Sequence, residues 1–238
     1  MRTIFLADAH LHDPADRNYQ LLLRFLEDLQ GTVDVLCILG DLFDFRVGLP
    51  ALSFAEQEPV VEALARLSRT GTRLIYLEGN HDFHLGAAFA KRIGAELYTR
   101  PVIIEIQARR LLLCHGDLAN PADWRYRLLY LTLHNRGAAL VGRMLPAAFV
   151  QGLRRRLQRT SRGRDTQNKP RLAAREIISA YGAAICQQGY DAVVLGHFHQ
   201  PLLEQRHQFT LLALGDWIEQ FSYGELLDGV FSLSTYQP

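Results

Sequence analysis

Five stretches of this chain run as apolar strands and then break at glycine or at a polar residue. They are Phe5-Leu6-Ala7-Asp8 with His10 beyond it, Ile38-Leu39-Gly40-Asp41, Tyr76-Leu77-Glu78-Gly79-Asn80-His81-Asp82, Leu112-Leu113-Cys114-His115-Gly116-Asp117, and Val193-Val194-Leu195-Gly196-His197-Phe198-His199. A buried strand that breaks in this way delivers its next side chain to the carboxyl edge of a sheet, where open α/β sheets keep their ligand sites. Residues two apart on a strand share a side, so Asp8 with His10, and His197 with His199, can each face one ion. Taken singly, each strand end is ordinary turn chemistry. Five ends loaded with Asp, Asn and His would then be five coincidences, each favouring the O and N donors that suit Mn, Fe or Zn. A dinuclear metal site is the economical reading.

At 238 residues with 48% apolar content, the chain can bury a large core, and one α/β domain with an insertion fits better than two domains. Cys37, Cys114 and Cys186 are far apart and odd in number. This is no disulfide framework, and it points to a reducing compartment. No charged leader precedes the first strand, and no window reaches the roughly 18 apolar residues of a membrane span. The expectation is a cytoplasmic protein without a spanning segment.

Asp16 to Gln30 has helical spacing, with Leu22, Phe25, Leu26 and Leu29 on one face and Gly31 as a stop. Further helices are predicted over 54–70, 85–93 and 172–188, each followed by glycine. Strands are predicted over 2–7, 33–39 and 73–77, as a hairpin over 102–106 and 110–114, and near Ala192, Thr210 and Val230. Strands that alternate with helices at first and dominate at the end suggest a two-sheet sandwich flanked by helices. Residues 160–170 are polar and aperiodic, and read as a loop.

The order Asp-x-His, Gly-Asp, Gly-Asn-His-Asp, His-Gly-Asp and Gly-His-x-His resembles the calcineurin-like metallophosphoesterases, and the match spans most of the chain. The resemblance implies a four-layer fold, two β-sheets with helices outside, and two metals about 3.5–4 Å apart. Carried over by position, Asp8, His10 and His199 would hold one ion, Asn80, His115 and His197 the other, and Asp41 would bridge them. The ions would most plainly be Mn²⁺, with Fe or Zn as alternatives. His81 would then be no ligand but a donor to the phosphoryl or leaving oxygen, with Asp82 orienting it. His12, His84, His134 and His207 read as surface or capping residues, His12 being the one kept open because it lies close to His10. Cys37 and Cys114 read as small core residues.

Net charge is +1, yet 124–175 carries 13 of the 26 Lys and Arg against one acid, Asp165. Its arginines are interleaved with aliphatics such as Leu128, Leu133, Leu140, Phe149 and Leu153. A nucleic-acid surface would explain the arginines but not so many aliphatic side chains. An amphiphilic anionic ligand or a membrane surface explains both, and a packed helical pair with a solvated arginine face is the plainer alternative. Within the wider family, the chain is similar to the UDP-2,3-diacylglucosamine hydrolases of lipid A synthesis. Gly-Asp-Leu-Phe, Asn-x-Asp-Phe, Gly-His-x-His-x-Pro, Leu-Gly-x-Trp and the basic insertion carry that likeness.

It implies that 124–175 forms a helical cap receiving acyl chains. It also implies substrate contacts at Asp123, Ser161 and Lys169, and peripheral attachment to the cytoplasmic face of the inner membrane. One position departs: His81 stands where those hydrolases usually have Arg. Arginine can only stabilise charge, whereas histidine can also donate a proton, so a relative acting on another phosphoester stays open. A non-catalytic scaffold with this fold is a third reading. It is disfavoured because all seven ligand positions hold competent residues.

Overall fold

In the computed structural model, residues 1–49, 52, 54–144, 152 and 171–237 are described. The elements are β1 (Arg2–Leu6), α1 (Arg17–Asp28), β2 (Val35–Leu39), β3 (Arg46–Val47), α2 (Glu58–Arg69), β4 (Arg73–Leu77), β5 (Asp82–Phe83), α3 (Gly86–Ile93), β6 (Ala95–Tyr98), β7 (Val102–Ile106) and β8 (Arg109–Cys114). Then follow α4 (Trp124–Leu133), α5 (Arg136–Met144), α6 (Arg171–Cys186), β9 (Ala192–Leu195), β10 (Pro201–Arg206), β11 (Phe209–Leu214), β12 (Ser222–Leu227) and β13 (Val230–Thr235). One sheet has the order β13-β12-β1-β2-β4-β6 and the other β10-β11-β9-β8-β7, while β3 and β5 form a small ribbon between ligand loops.

Four layers follow from where the strands put their apolar residues. Successive side chains on a strand face opposite ways, so an unbroken apolar run serves two interfaces at once. On β1, Phe5 joins Val35, Cys37, Ile75, Leu113 and Val194 in the core between the sheets. Ile4 and Leu6 turn the other way, onto Tyr19, Leu22, Phe25 and Leu26 of α1 and Val60, Leu64 and Leu67 of α2. The second sheet repeats this plan, its outer face packing Leu112, Val193 and Leu211 against Ile178 and Ile185 of α6. Burying a side chain of the size of Leu22 or Phe25 contributes about 1.5–3 kcal/mol. The α/β sandwich with outer helices is therefore the observed architecture.

Some elements differ from the sequence expectation. The closing part of the chain holds β10 and β12 as well as the three expected strands, and β6 follows Gly94 directly. Strand β6 is an edge strand paired on one side only, from Leu74↔Ala95 to Leu77↔Tyr98, so its half-buried residues show little periodicity. Helices α4 and α5 fall where the arginine-studded pattern is, but no residue of α4 is buried. Among the expected features of the insertion, Phe149, Leu153 and the 160–170 loop lie outside the described residues.

Candidate metal centre

Strand register brings the polar ends together. Strands β1, β2 and β4 are parallel, with Leu6 opposite Ile38 and Leu39 opposite Leu77, so Asp8, Asp41 and Asn80 leave the sheet at one edge. Strands β8 and β9 are also parallel, with Cys114 opposite Leu195, which sets His115 beside Gly196 and His197. The loops then approach so closely that two positions require glycine. Gly40 has φ +86, and a Cβ on it would lie 2.7 Å from both Gly79 Cα and His115 Nδ1. A Cβ on Gly79 would lie 2.2 Å from Asp41 Oδ1. Asp8 (φ 54), His10 (φ 44), Asp41 (φ 53), His197 (φ 68) and His199 (φ 51) take left-handed backbone, uncommon for non-glycine residues and otherwise found here mostly at turns such as Gln107–Ala108 and Asp228.

The donor atoms form a chain with Asp41 at its middle. Asp8 Oδ1 lies 3.9 Å from the Nε2 atoms of both His10 and His199. Asp41 Oδ2 lies 3.7 Å from His10 Nε2 and 3.4 Å from His115 Nε2. Asn80 Oδ1 is 2.9 Å from His115 Nε2 and 2.9 Å from His197 Nδ1. Asp8 with His10 and His199, and Asp8 with Asp41 and His115, each gather their donor atoms within 4.8 Å of one another.

These residues fit divalent ions. Asp8 Oδ1 and both ring nitrogens of His10 are buried with no hydrogen-bond partner among the described residues. Burying polar atoms unpaired is costly, and a shared cation removes that cost. The outer contacts orient the donors: the Leu39 carbonyl accepts from His115 Nδ1 at 2.8 Å, which presents Nε2 as the lone pair. The His197 amide donates to Asp8 Oδ2 at 2.6 Å, and the His81 amide to Asp41 Oδ1 at 2.8 Å, leaving the other oxygen of each carboxylate facing the cluster.

Electrostatics point the same way. Burial lifts Asp8 to about 7 despite the nearby imidazoles of His199 and His115, and burial pushes His10 down to about 3. Burial works against ionisation of Asp41, but His115, His81 and His10 outweigh it and hold that carboxyl well below its usual range. Burial would lower His115, yet Asp41 raises it well above the usual imidazole value. Protons and metal ions therefore compete for the same atoms.

Asp82 stands elsewhere than an orienting partner of His81 would. Its oxygens accept from the Asp41, Leu42 and Gly79 amides at 2.9, 2.8 and 2.9 Å and from the Tyr76 hydroxyl at 2.5 Å. Asp82 opens β5, and these four donors occupy both of its carboxylate oxygens. The His81 ring instead meets the Asp44 carbonyl through Nδ1 at 2.8 Å. Asp123 caps α4, accepting from the Tyr126 amide at 3.1 Å, while Ser161 and Lys169 lie outside the described residues.

Other residues near the site gave no sequence signal. The Tyr126 hydroxyl donates to Asp117 at 2.7 Å, and its ring lies 6.1 Å from that of His197. His84 and His134, read above as surface or capping residues, lie in an aromatic stack. His134 is 4.1 Å from Tyr130 and 4.3 Å from Phe83, and His84 Nε2 meets the Leu133 carbonyl at 2.8 Å. This stack fastens α4 to the loop that carries His81. Only spacing of three or four residues on α4, shared by Tyr126, Tyr130 and His134, hints at it in the sequence.

Comparison with known proteins adds to this geometry. The calcineurin-like phosphoesterase family model matches residues 1–201. UDP-2,3-diacylglucosamine hydrolase of Stenotrophomonas maltophilia (strain K279a) is 32% identical over 247 residues, covering 99% of this chain and 98% of that one. The hydrolase of the same name from Aeromonas salmonicida (strain A449) is 32% identical over 93% of this chain and 88% of its own, and one from Vibrio cholerae 28% identical over 93% of each. Among solved structures, an archaeal phosphodiesterase superposes with a TM-score of 0.53 at 14% identity, covering 99% of this chain and 100% of that one, a likeness of fold.

Proposed function

The chain belongs to the calcineurin-like phosphoesterases and is a metal-dependent hydrolase, and from that premise we propose that it splits the pyrophosphate of a UDP-linked 2,3-diacylglucosamine into UMP and the diacylglucosamine 1-phosphate. The observation that carries this reading is the apolar surface beside the ligand cluster. Trp124, Leu128, Leu131 and Leu140 of α4 and α5 are exposed, and α4 is tied to the site through Tyr126 and Asp117. Acyl chains would cover these side chains while the pyrophosphate reaches the strand ends. Full-length similarity to hydrolases of that name supports the same substrate.

In this reading Asp8, His10 and His199 hold one ion, Asn80, His115 and His197 the second, and Asp41 joins them. Bound divalent ions supply a hydroxide near neutral pH and charge stabilisation for the phosphoryl oxygens; Mn²⁺ is our choice among them. The Asp44 carbonyl accepts from His81 Nδ1, and although burial lowers this imidazole, Asp41 and Asp44 raise it above its usual range, so the doubly protonated ring would deliver the Nε2 proton to the leaving oxygen. Asp82 holds the two ligand loops in register. The Trp124-to-Met144 helices act as a cap. With Arg125 and Arg127 beside the apolar residues, the cap would rest on the cytoplasmic face of the inner membrane. No described helix is long and apolar enough to cross one.

The deciding experiment is a turnover screen with Mn²⁺ that compares UDP-2,3-diacylglucosamine with simple nucleotides and aryl phosphates. Preference for the diacylated substrate is expected. Equal or better turnover of a nucleotide would transfer the assignment to another phosphoester, the reading that His81 in place of arginine favours.

A further inference from the structure

A cavity of about 460 Å³ lies beside the ligand loops, walled by Leu49, Leu52, Phe54, Leu85 and Phe89 together with Arg46. The Arg46 guanidinium carbon sits 4.6 Å from the centre of the Phe89 ring, 5.0 Å from Phe54 and 5.2 Å from Phe43. Its hydrogen bond to a side chain goes to neutral Gln57 Oε1 at 2.6 Å. Gln57 is held there because its own amide donates to the Phe45 carbonyl at 3.0 Å. No carboxylate lies within ion-pair distance of Arg46 among the described residues. The second arginine at this cavity, Arg92, is matched by Glu58 at 3.1 Å. Arg46 is therefore left without a directly paired carboxylate at the wall of an open, mainly apolar cavity, Glu58 and Asp82 acting on it only from further off, and aromatic faces repay only part of its lost hydration.

We propose that this cavity binds an aliphatic chain ending in a carboxylate, with Arg46 as the partner of the charge. The planar guanidinium fork matches a carboxylate through two parallel hydrogen bonds. A single cation balances a monoanion, whereas a phosphate monoester would leave charge over. A tail ending in methyl would fill the apolar volume but leave Arg46 unmatched. The inference stands apart from the diacyl-sugar reading, since it concerns what binds here and not what is cleaved.

Calorimetric titration of the full chain with decanoate and with decan-1-ol tests it. Decanoate should bind about 10–100-fold more tightly, the range expected for a hydrogen-bonded charge partner. Arg46→Met keeps the stem against the rings and should bring the acid down to the affinity of the alcohol, with the alcohol unchanged. Arg46→Lys should keep a reduced preference for the acid. Equal affinity of acid and alcohol in the unaltered protein overturns the proposal, as does absence of binding by either. Persistence of the preference in Arg46→Met also overturns it. Should that variant fail to unfold cooperatively, the acid–alcohol comparison and Arg46→Lys decide.

Discussion

The strand-end cluster and the α4–α5 pair meet through the Tyr126–Asp117 hydrogen bond and the Phe83–His134 stack, and invert the usual placement of side chains in opposite senses. At the strand ends Asp8 and Asp82 are 0% exposed and Asp41 2%, although carboxylates belong in water. On the helices Trp124 is 64% exposed, Leu131 67% and Met144 79%, although large apolar groups belong in a core. A fold tolerates a buried carboxylate only when hydrogen bonds or cations meet it, and backbone amides meet one oxygen of Asp8 and of Asp41, while both oxygens of Asp82 are taken. Exposed aliphatics in a cluster, by contrast, cost nothing in folding that is not already lost, and they become useful when an apolar surface arrives. One region is thus rigid and awaits charge, the other is presented and awaits hydrocarbon.

The sharpest way to break this contrast is Asp41→Ala. The variant should lose hydrolysis altogether and fall below one bound ion per chain by elemental analysis, because the carboxylate between the two donor groups is gone. Two ions with normal turnover would sink the metal assignment.

Next in size, His81→Ala should lower the turnover rate by about 10²–10⁴-fold, the span of general acid–base residues, with both ions retained. His81→Arg should recover part of that loss if charge stabilisation is the main contribution. Ion loss from His81→Ala would show His81 to be a ligand, as its grouping with His10 and Asp44 would permit.

The helical region should respond in the opposite way. Leu128→Gln with Leu131→Gln should leave the thermal midpoint nearly unchanged, since both are surface positions. The same pair should cut kcat/KM for a diacylated substrate by roughly 10-fold or more, as each methylene in contact contributes about 0.8 kcal/mol. Turnover of a short soluble phosphodiester should not move. Equal losses on both substrates would erase the contrast between the regions.

Tyr76→Phe probes the rigid side by stability alone. Removing the hydroxyl from buried Asp82 should cost about 1–3 kcal/mol, read from denaturant unfolding. A neutral result would mean that the ligand loops do not depend on Asp82.

The smallest expected effect is in pH. Without ions, Asp8 at about 7 against 3.8 unfolded contributes stability below pH 4 that is lost as pH rises to 7, and His115, raised well above 6.5, extends the loss further. His10, at about 3 against 6.5, works the other way between pH 3 and 6.5 and is silent above. The thermal midpoint of chelator-treated protein should therefore fall from pH 6.5 to 8.5. With Mn²⁺ present it should rise over the same range, because protons no longer displace the ions. Parallel slopes would argue that these groups do not bind metal.

How much of this was legible in the sequence depended on distance along the chain. The donors could be read because each sits within four residues of an apolar strand's end, and parallel strands deliver their ends to one edge. Strands β10 and β12 were missed because each pairs antiparallel with a strand that was seen, and Gly224 in β12 breaks the β-branched and aromatic pattern. A position next to His81 suggested that Asp82 orients it, but donors from Tyr76, Gly79 and the Asp41 loop already take both of its oxygens. The His84–His134 stack comes from the packing of α4 beside β5, a contact between residues about 50 apart, and Tyr126 meets Asp117 and His197 through the fold, neither of which a local pattern encodes.

The left-handed backbone at Asp8, His10, Asp41, His197 and His199 has one more consequence, in kinetics. Each such residue costs of order 1–3 kcal/mol, and the strands that end at these positions, β1, β2 and β9, are each paired on both sides and so placed to hold the conformation. Ion capture then needs no rearrangement of the main chain. Exchange of one metal for another should proceed at the pace of ligand substitution, in a protein that stays folded throughout, and the metal-free and loaded forms should share one backbone.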